Sequence, residues 1–423
     1  MKLKLHWQIL IALALAVLAG VLTGPDGSLL GIRLLACYEF LGTLFLNALK
    51  MLIIPLIASA IITGIAEVGA AEGFGRLGAK TILYYLCSSL AAILVGLALI
   101  NAMKPGIIDG EPAKDRIGLS EETTTVMEKV KDKGASDVAG VFLRMIPDNV
   151  VEAATGANML GLITFSLLFG FFTSRIEARK RDAIMAFWQG VFDVMIRMTD
   201  LVMRFAPIGV FALVARTVAL TGFAAFEPLM GFFFAVVIGL LIHGLIVLPL
   251  AVLLIGRVNP LLHFKAMQSA LLMAFCTCSS SATLPRTLEC VMQNSGVSRR
   301  VASFVLPLGA TVNMDGTALF ECVAVIFIAQ CYGLDLTFGV QLTVVITALV
   351  TSIGVAGIPA AALVAIALVL GVVGLPAEGI GLILAVERIL DMLRTSVNIW
   401  SDSCGAVIIA RSEGEQNVLA NAV

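Results

Sequence analysis

Asp391-Met392-Leu393-Arg394-Thr395-Ser396-Val397-Asn398-Ile399-Trp400-Ser401-Asp402 lies near the C-terminus, between the apolar runs 379–386 and 406–410. A helix through it, at about 100° per residue, places Glu387, Asp391, Arg394, Asn398 and Asp402 within an arc of roughly 80°. One face of a hydrophobic helix therefore carries two aspartates, a glutamate, an arginine and an amide. Charges at membrane depth are costly unless they meet a partner, an ion or a water-filled cavity. Two readings follow: an internal salt-bridge stripe buried against other helices, or a binding face for a zwitterion or for cations. Five polar groups on one stripe exceed what packing alone needs, which favours the second.

The 423-residue chain is 59% hydrophobic and only 13% charged, against about 25% charge in an average soluble protein. It reads as an all-α polytopic membrane protein. A net charge of -1 argues against nucleic acid as a partner. The eight cysteines are scattered in apolar runs. Cys276 and Cys278 form only C-x-C, with no second pair or histidine at ligand spacing, so they read as buried thiols. Met1-Lys2-Leu3-Lys4 followed by 9–22 resembles a signal peptide but lacks a cleavage site before a soluble domain, so a first transmembrane helix is expected.

At about 20 apolar residues per span, hydrophobic segments fall near 8–23, 37–66, 79–103, 139–175, 183–219, 227–255, 266–290, 300–331, 337–371 and 378–411. Several exceed one crossing. The 37–66 segment needs tilt, and Pro55 inside it suggests a kink. Lys50 either snorkels to an interface or pairs with a protein group. The one substantial hydrophilic insert, 104–138, reads as an exposed loop rather than a domain. Basic residues in short loops, among them Arg76, Lys80, Arg175, Arg179, Lys180, Arg181, Arg257, Lys265, Arg299 and Arg300, alternate with the base-free connection 221–228. That pattern places both termini in the cytoplasm.

Two segments fit poorly as plain spans. Cys276-Thr277-Cys278-Ser279-Ser280-Ser281-Ala282-Thr283-Leu284-Pro285 and Thr351-Ser352-Ile353-Gly354-Val355-Ala356-Gly357-Ile358-Pro359 set small, turn-forming residues inside hydrophobic stretches. Irregular backbone at that depth is tolerated only where it lines a cavity or is buried in protein. The pair suggests re-entrant helical hairpins whose tips meet near the midplane, as in transporters with inverted repeats. An ordinary span with a small-residue packing face is the alternative for each.

Between them runs Pro307-Leu308-Gly309-Ala310-Thr311-Val312-Asn313-Met314-Asp315-Gly316-Thr317-Ala318-Leu319-Phe320-Glu321. On a continuous helix Asn313 and Asp315 would point about 200° apart. A break at 313–316 would turn both, with freed carbonyls, to one point, an oxygen-rich set suited to a hard cation such as Na⁺. Thr317 and Glu321 follow Asn313 at i+4 and i+8. Glu321, in hydrocarbon and without an obvious basic neighbour, could cycle a proton or stay a protonated structural acid. His243 reads as a satisfied helix histidine, and His263 lies just after Pro260 near a cytoplasmic end.

These residues together resemble the glutamate transporter family, the dicarboxylate/amino acid:cation symporters that include excitatory amino acid transporters and archaeal aspartate transporters. Ser279 to Pro285, Asn313 to Ala318, Ser352 to Pro359 and Asp391 to Asp402 match its four signatures in order. The runs 44–55 and Tyr84-Tyr85 look like it too, so the likeness covers nearly the whole chain. It implies eight transmembrane helices and two re-entrant hairpins, assembled as a homotrimer in the cell (inner) membrane. Residues 1–78 and 139–219 would form a static scaffold. Residues 79–103 and 220–423 would form a transport domain moving as an elevator.

By position in the family, Arg394 would hold a substrate side-chain carboxylate and Asp391 the α-ammonium. Asn398, Thr317, Ser279, Ser280, Ser281, Gly357 and Ile358 would hold the α-carboxylate and close the site, with Thr395 beside them. One sodium site would use Asn313, Asp402 and carbonyls at Gly309 and Asn398, and another Tyr85, Ser88, Ser89, Asn313 and Asp315. A third would involve Thr311, Ser352, Ile353 and Val355. No cofactor is expected. The coupling ion would be Na⁺, and Glu321 matches the proton-carrying glutamate of the excitatory transporters, which adds H⁺ and the question of K⁺ counter-transport.

The residues and the resemblance meet on one point. Arg394 with Asp391 on one face wants a ligand bearing both a carboxylate side chain and an amine, so glutamate or aspartate is the expected substrate. A C4-dicarboxylate or neutral amino acid symporter of the same fold is the alternative. The chain departs from the family pattern where an arginine usually stands, at Cys278 or Met392, and at Glu387, Val355, Trp400 and Ser401. A channel would spread its polar residues along a pore instead of gathering them. The three histidines, His6, His243 and His263, show no signature pairing for a hydrolase at Ser279 to Ser281, so an enzyme is not expected.

Overall fold

The computed structural model describes residues 5–29, 31–70, 74–114, 116, 117, 119, 126, 143, 146–155, 159–222, 226–354 and 361–419. The tip of the second expected hairpin, with Val355, Gly357 and Ile358, lies outside the described residues. So does much of the 104–138 insert.

Nearly all of the described chain is helical. Helix α1 (Leu5–Thr23) is followed by a two-residue antiparallel ladder, Ser28–Leu29 with Ile32–Arg33, and by the long α2 (Leu34–Ala70), which continues through Pro55. A π-turn at Phe74–Gly78 leads into α3 (Ala79–Met103), and a second small ladder pairs Ile107–Ile108 with Glu111–Pro112. Then come α4 (Val150–Thr155), α5 (Met159–Thr173), α6 (Ala178–Arg204) and α7 (Ala206–Thr221). The apolar stretch expected over 183–219 is thus two helices, bent by 53°. Pro207 sits in the first turn of α7, where its missing N–H costs nothing, and the first turn of α6 is Ala178-Arg179-Lys180-Arg181, which belongs in water.

The C-terminal half holds α8 (Phe226–Ile242), a π-turn His243–Val247, α9 (Leu248–Leu254), α10 (Pro260–Thr277), α11 (Ser280–Glu289) and a third π-turn, Cys290–Asn294. After these come α12 (Arg299–Val312), α13 (Asp315–Cys331), α14 (Phe338–Gly354), α15 (Ala361–Val373) and α16 (Ile380–Ser412). Among the described residues, Arg76–Met103, Phe226–Leu254 and Arg299–Cys331 are long and apolar enough to cross a bilayer, and the bent pair α6–α7 makes a fourth.

Two packing groups emerge. α1 lies along α7, and α2 packs on α5, α6 and α7. In the other group α13 is the axis: every residue but Thr317 is buried, as an apolar-all-round helix must be. Around it stand α3, α8, α14, α15 and α16.

Helices α10 and α11 fold back on each other. Thr277 bonds Thr283 at 3.1 Å, Arg286 donates to Ser269 at 3.0 Å, Asn294 to the Ala266 carbonyl at 2.9 Å, and His263 meets Ser295 at 3.0 Å. The rungs widen steadily in sequence, so the two arms run antiparallel. Cys278, with φ 53°, turns the chain in the left-handed region, and Ser279 caps the second arm by accepting from the Ala282 N–H at 3.2 Å.

At the C-terminal end of α16 the chain is latched. Glu413 accepts from Lys80 at 2.6 Å and forms ion pairs with Arg76 at 3.3 Å and Arg300 at 3.7 Å. The Lys80 hydrogen bond and the charges of Lys80, Arg76 and Arg300, working against a smaller effect of burial, hold its carboxyl below the ordinary glutamate range. Such a group contributes stability above the unfolded value of about 4.3 and loses it as pH falls through its own lowered value. Glu413→Ala should therefore melt below the wild type at neutral pH in detergent. The gap should close in acid once the pH is below that lowered value.

Candidate functional site

The site starts from a break in a helix. α12 ends at Val312, Asn313 (φ -107°, ψ 94°) is extended, Met314 (φ -120°, ψ 56°) is neither helical nor extended, and α13 begins at Asp315. The break is two residues shorter than the sequence suggests, since Asp315 and Gly316 are already helical. It turns Asn313 and Asp315 into one buried cluster facing α3 and α16.

Asp315 is fully buried. Its Oδ1 accepts from Ser89 at 2.7 Å. Its Oδ2 accepts from Ser401 at 2.7 Å, from His243 Nε2 at 2.9 Å, and from the Ser88 hydroxyl. Asn313 donates from Nδ2 to Ser401 Oγ and to Asp402 Oδ1, both at 2.9 Å, and Ser89 reaches its Oδ1 at 3.5 Å. Asn398 accepts from the Gly316 N–H at 2.8 Å and donates towards Thr317 at 3.4 Å. The polar atoms of α3, α8, α13 and α16 thus meet within one small volume.

Of the residues named for cation binding, Ser88, Ser89, Asn313, Asp315, Asn398 and Asp402 are brought together here. Tyr85 is buried beside them but donates its hydroxyl to the Val305 carbonyl at 2.7 Å. Gly309 gives room: a Cβ there would stand 2.5 Å from both Asp402 Oδ1 and the Tyr85 hydroxyl. Thr311 and Ser352 turn back onto their own helices, at the Leu308 and Leu349 carbonyls. As a donor set the cluster is hard and oxygen-rich, which fits a small cation such as Na⁺.

One turn away on α16 is the charged face. Arg394 is 2% exposed, with Nη2 donating to Glu387 Oε1 and Asp391 Oδ1, both at 2.9 Å. The salt-bridge stripe is therefore real, but it uses one nitrogen. Nε and Nη1 have no hydrogen-bond partner among the described residues, and the guanidinium lies 4.1 Å over the Phe320 ring. Asp391 and Glu387 remain partly exposed, at 22% and 12% of the side chain. A buried guanidinium with Nε and Nη1 unpartnered among the described residues, beside a partly exposed carboxylate, is an arrangement that an anion could satisfy.

The first hairpin tip is close: Cys278 lies within electrostatic reach of Asp391, Arg388 and Glu387. Ser280 is buried and Ser279 caps α11, while Ser281 is exposed. Thr395 bonds back to the Asp391 carbonyl at 2.8 Å. Glu321 accepts from Thr351 at 2.7 Å through Oε2, and Oε1 has no partner among the described residues. Arg394 is within electrostatic reach of it, a basic neighbour that chain spacing does not reveal.

Sequence reasoning missed three groups. His243 is not an ordinary helix histidine but a direct partner of Asp315; its intramembrane position was the available signal. Ser401 joins Asp315 to Asn313. Trp400 donates from Nε1 to the Gly244 carbonyl at 2.8 Å and stacks on His263 at 4.9 Å, tying α16 to the π-turn that presents His243.

Residues 5–412, nearly the whole chain, match the family model described as Sodium:dicarboxylate symporter family. The chain belongs to that family. It is 35% identical over 414 residues to the "Proton/glutamate-aspartate symporter" of Escherichia coli, covering 97% of this chain and 93% of that one. It is 34% identical over 417 residues to the "Proton/sodium-glutamate symport protein" of Geobacillus stearothermophilus, covering 98% and 96%. It is also 33% identical over 462 residues to the human "Excitatory amino acid transporter 3", covering 97% and 86%. Membership makes this symporter an integral membrane protein and a carrier rather than an enzyme.

The cluster depends on close backbone approach. A Cβ on Gly316 would stand 2.7 Å from the Arg394 carbonyl oxygen and 2.9 Å from its Cα, and backbone cannot yield as a side chain can. Gly316→Ala should cost about 1–3 kcal/mol in detergent unfolding. Gly190→Ala, where a Cβ would meet nothing within 4 Å, should be neutral or slightly stabilising.

Proposed function

We propose that this protein is a secondary symporter importing glutamate or aspartate, driven by Na⁺ and by H⁺. The observation that carries the reading is that Nε and Nη1 of the buried Arg394 have no hydrogen-bond partner among the described residues, beside the partly exposed Asp391. Each of these nitrogens carries an N–H that can donate to a side-chain carboxylate, and Asp391 takes an ammonium. Asn398 and Thr317 from one side, and the hairpin tip at Ser279, Ser280 and Ser281 with Gly357 and Ile358 from the other, would hold the α-carboxylate. The names of the three relatives, each a glutamate or excitatory amino acid carrier, point the same way.

The cations belong to the cluster one turn below. Asn313, Asp402 and the carbonyls of Gly309 and Asn398 would hold one sodium, Ser88, Ser89, Asn313 and Asp315 another, with Tyr85 near. Thr311 with Ser352, Ile353 and Val355 would offer a third. Substrate and ion sites share Asn398 and the break at Asn313–Met314, so filling one orders the other, which is how a symporter avoids uncoupled leak. Glu321, held by Thr351 and near Arg394, would carry the proton.

Eight spans, two re-entrant hairpins and an elevator movement are the architecture in which these parts work. Residues 1–78 and 139–219 would be the scaffold, 79–103 and 220–423 the moving domain, with three copies in the membrane and both termini cytoplasmic. The antiparallel arms of 260–294 and the two packing groups support that division. A C4-dicarboxylate as substrate has one observation in its favour: Arg388 Nη1 stands 3.6 Å from Asp391 Oδ2, a built-in cation where an ammonium would go.

The test is uptake into liposomes of labelled glutamate, aspartate, succinate and serine, with Na⁺ and H⁺ gradients imposed separately. Glutamate and aspartate should accumulate, serine should not, and Glu321→Gln should flatten the pH dependence of glutamate uptake. Accumulation of succinate in place of the amino acids would transfer the assignment to dicarboxylates. A Glu321→Gln protein with unchanged pH dependence would remove the proton role.

A further inference from the structure

The donors around Asp315 point to an additional determinant of cation preference, in a residue outside the set named for ion binding. A carboxylate offers about four acceptor positions. Ser88, Ser89, His243 and Ser401 are four buried donors, and three of them, Ser88, His243 and Ser401, crowd onto Oδ2 while Oδ1 takes Ser89. Ser401 does more than fill a position. Its hydrogen goes to Asp315 at 2.7 Å, and its oxygen accepts from Asn313 Nδ2 at 2.9 Å, with Ser88 Oγ 3.1 Å away. The hydroxyl therefore fixes which end of the Asn313 amide faces the cluster. The N–H side is turned to Ser401 and Asp402, and the oxygen towards Ser89.

A small hard cation between Asp315, Asn313 and Asp402 needs the opposite arrangement, with oxygens inward. The neighbouring residue holds Ser401 in place. Trp400 is clamped by Gly244 and stacked on His263, while Tyr84 donates to the Ser401 carbonyl at 3.1 Å. The helix cannot easily turn the hydroxyl away.

We propose that Ser401 is a specificity-determining residue that weakens sodium binding at the Asn313–Asp315–Asp402 cluster, because its hydroxyl occupies the carboxylate and orients the asparagine against a cation. This rests on the symporter reading and adds to it a reason why this chain would rely less on Na⁺ than a chain with no side chain at that position. Ser401→Ala removes the hydroxyl and keeps the helix; Ser401→Gly removes the side chain altogether. Either relieves the crowding on Asp315 Oδ2 and removes one of the two acceptors that hold the Asn313 N–H side inward, leaving only Asp402, which a cation would itself engage.

The experiment is sodium binding to the purified full chain in detergent, without substrate. It is read as tryptophan fluorescence or melting temperature against NaCl, with choline chloride keeping ionic strength constant. Both variants should reach half-saturation at a sodium concentration lower than the wild type by on the order of tenfold, the size of one charge-assisted hydrogen bond removed. Asp315→Asn should abolish the response in each background. A midpoint unchanged or raised in both variants would overturn the proposal, the raised value because Ser401 would then be a ligand. No sodium response in any variant would overturn it too. Glutamate uptake under a proton gradient, measured on the same preparations, separates that result from a failure of the symporter reading.

Discussion

A carboxylate in the middle of a hydrophobic helix bundle must be answered from several directions at once, and Asp315 is where this protein meets that requirement. Desolvating a charge costs far more than any one hydrogen bond returns. Four donors from three other helices converge on it: Ser88 and Ser89 from α3, His243 from the π-turn after α8, and Ser401 from α16. The break at Asn313–Met314 exists so that α13 can begin with that carboxylate facing inward. The burial of α13 on all sides follows, since its neighbours are the helices that supply the donors.

From that centre the two sites share structure. Asn313 joins Asp315 to Asp402, and Asn398 ties the first turn of α13 to the face that bears Arg394. Gly316 and Gly309 let the backbones and carboxylates come close enough for this. The arginine then sits over Phe320 with one nitrogen held by Glu387 and Asp391, and with Nε and Nη1 unpartnered among the described residues. Cation cluster and charged face are consecutive turns of α16, and a change at one is felt at the other through a single rigid helix.

Much of this was legible in the chain. Helical periodicity alone put Glu387, Asp391, Arg394, Asn398 and Asp402 on one face, and the Asn313-Met314-Asp315-Gly316 run announced a break. The small-residue stretch at 276–285 announced a turn, which the structure places at Cys278. What spacing along one helix could not reveal was who stands across from it. His243 is 72 residues from Asp315 and reads locally as one histidine in an apolar helix. Ser401 was visible as a departure from the family pattern beside Asp402, but not its partners Asn313 and Asp315, which lie off its own helix. The bend between α6 and α7 was hidden by a hydrophobic average that ran across Pro207.

On this reading Nε and Nη1 of Arg394 receive a substrate carboxylate. The most direct measurement is calorimetric titration of the purified protein with glutamate, wild type against Arg394→Ala. Wild-type binding reduced by roughly a hundredfold or more in the variant, the order expected for loss of buried, charge-assisted hydrogen bonds, is the predicted result. Equal affinity in the two proteins would contradict it and return the guanidinium to a purely structural salt bridge.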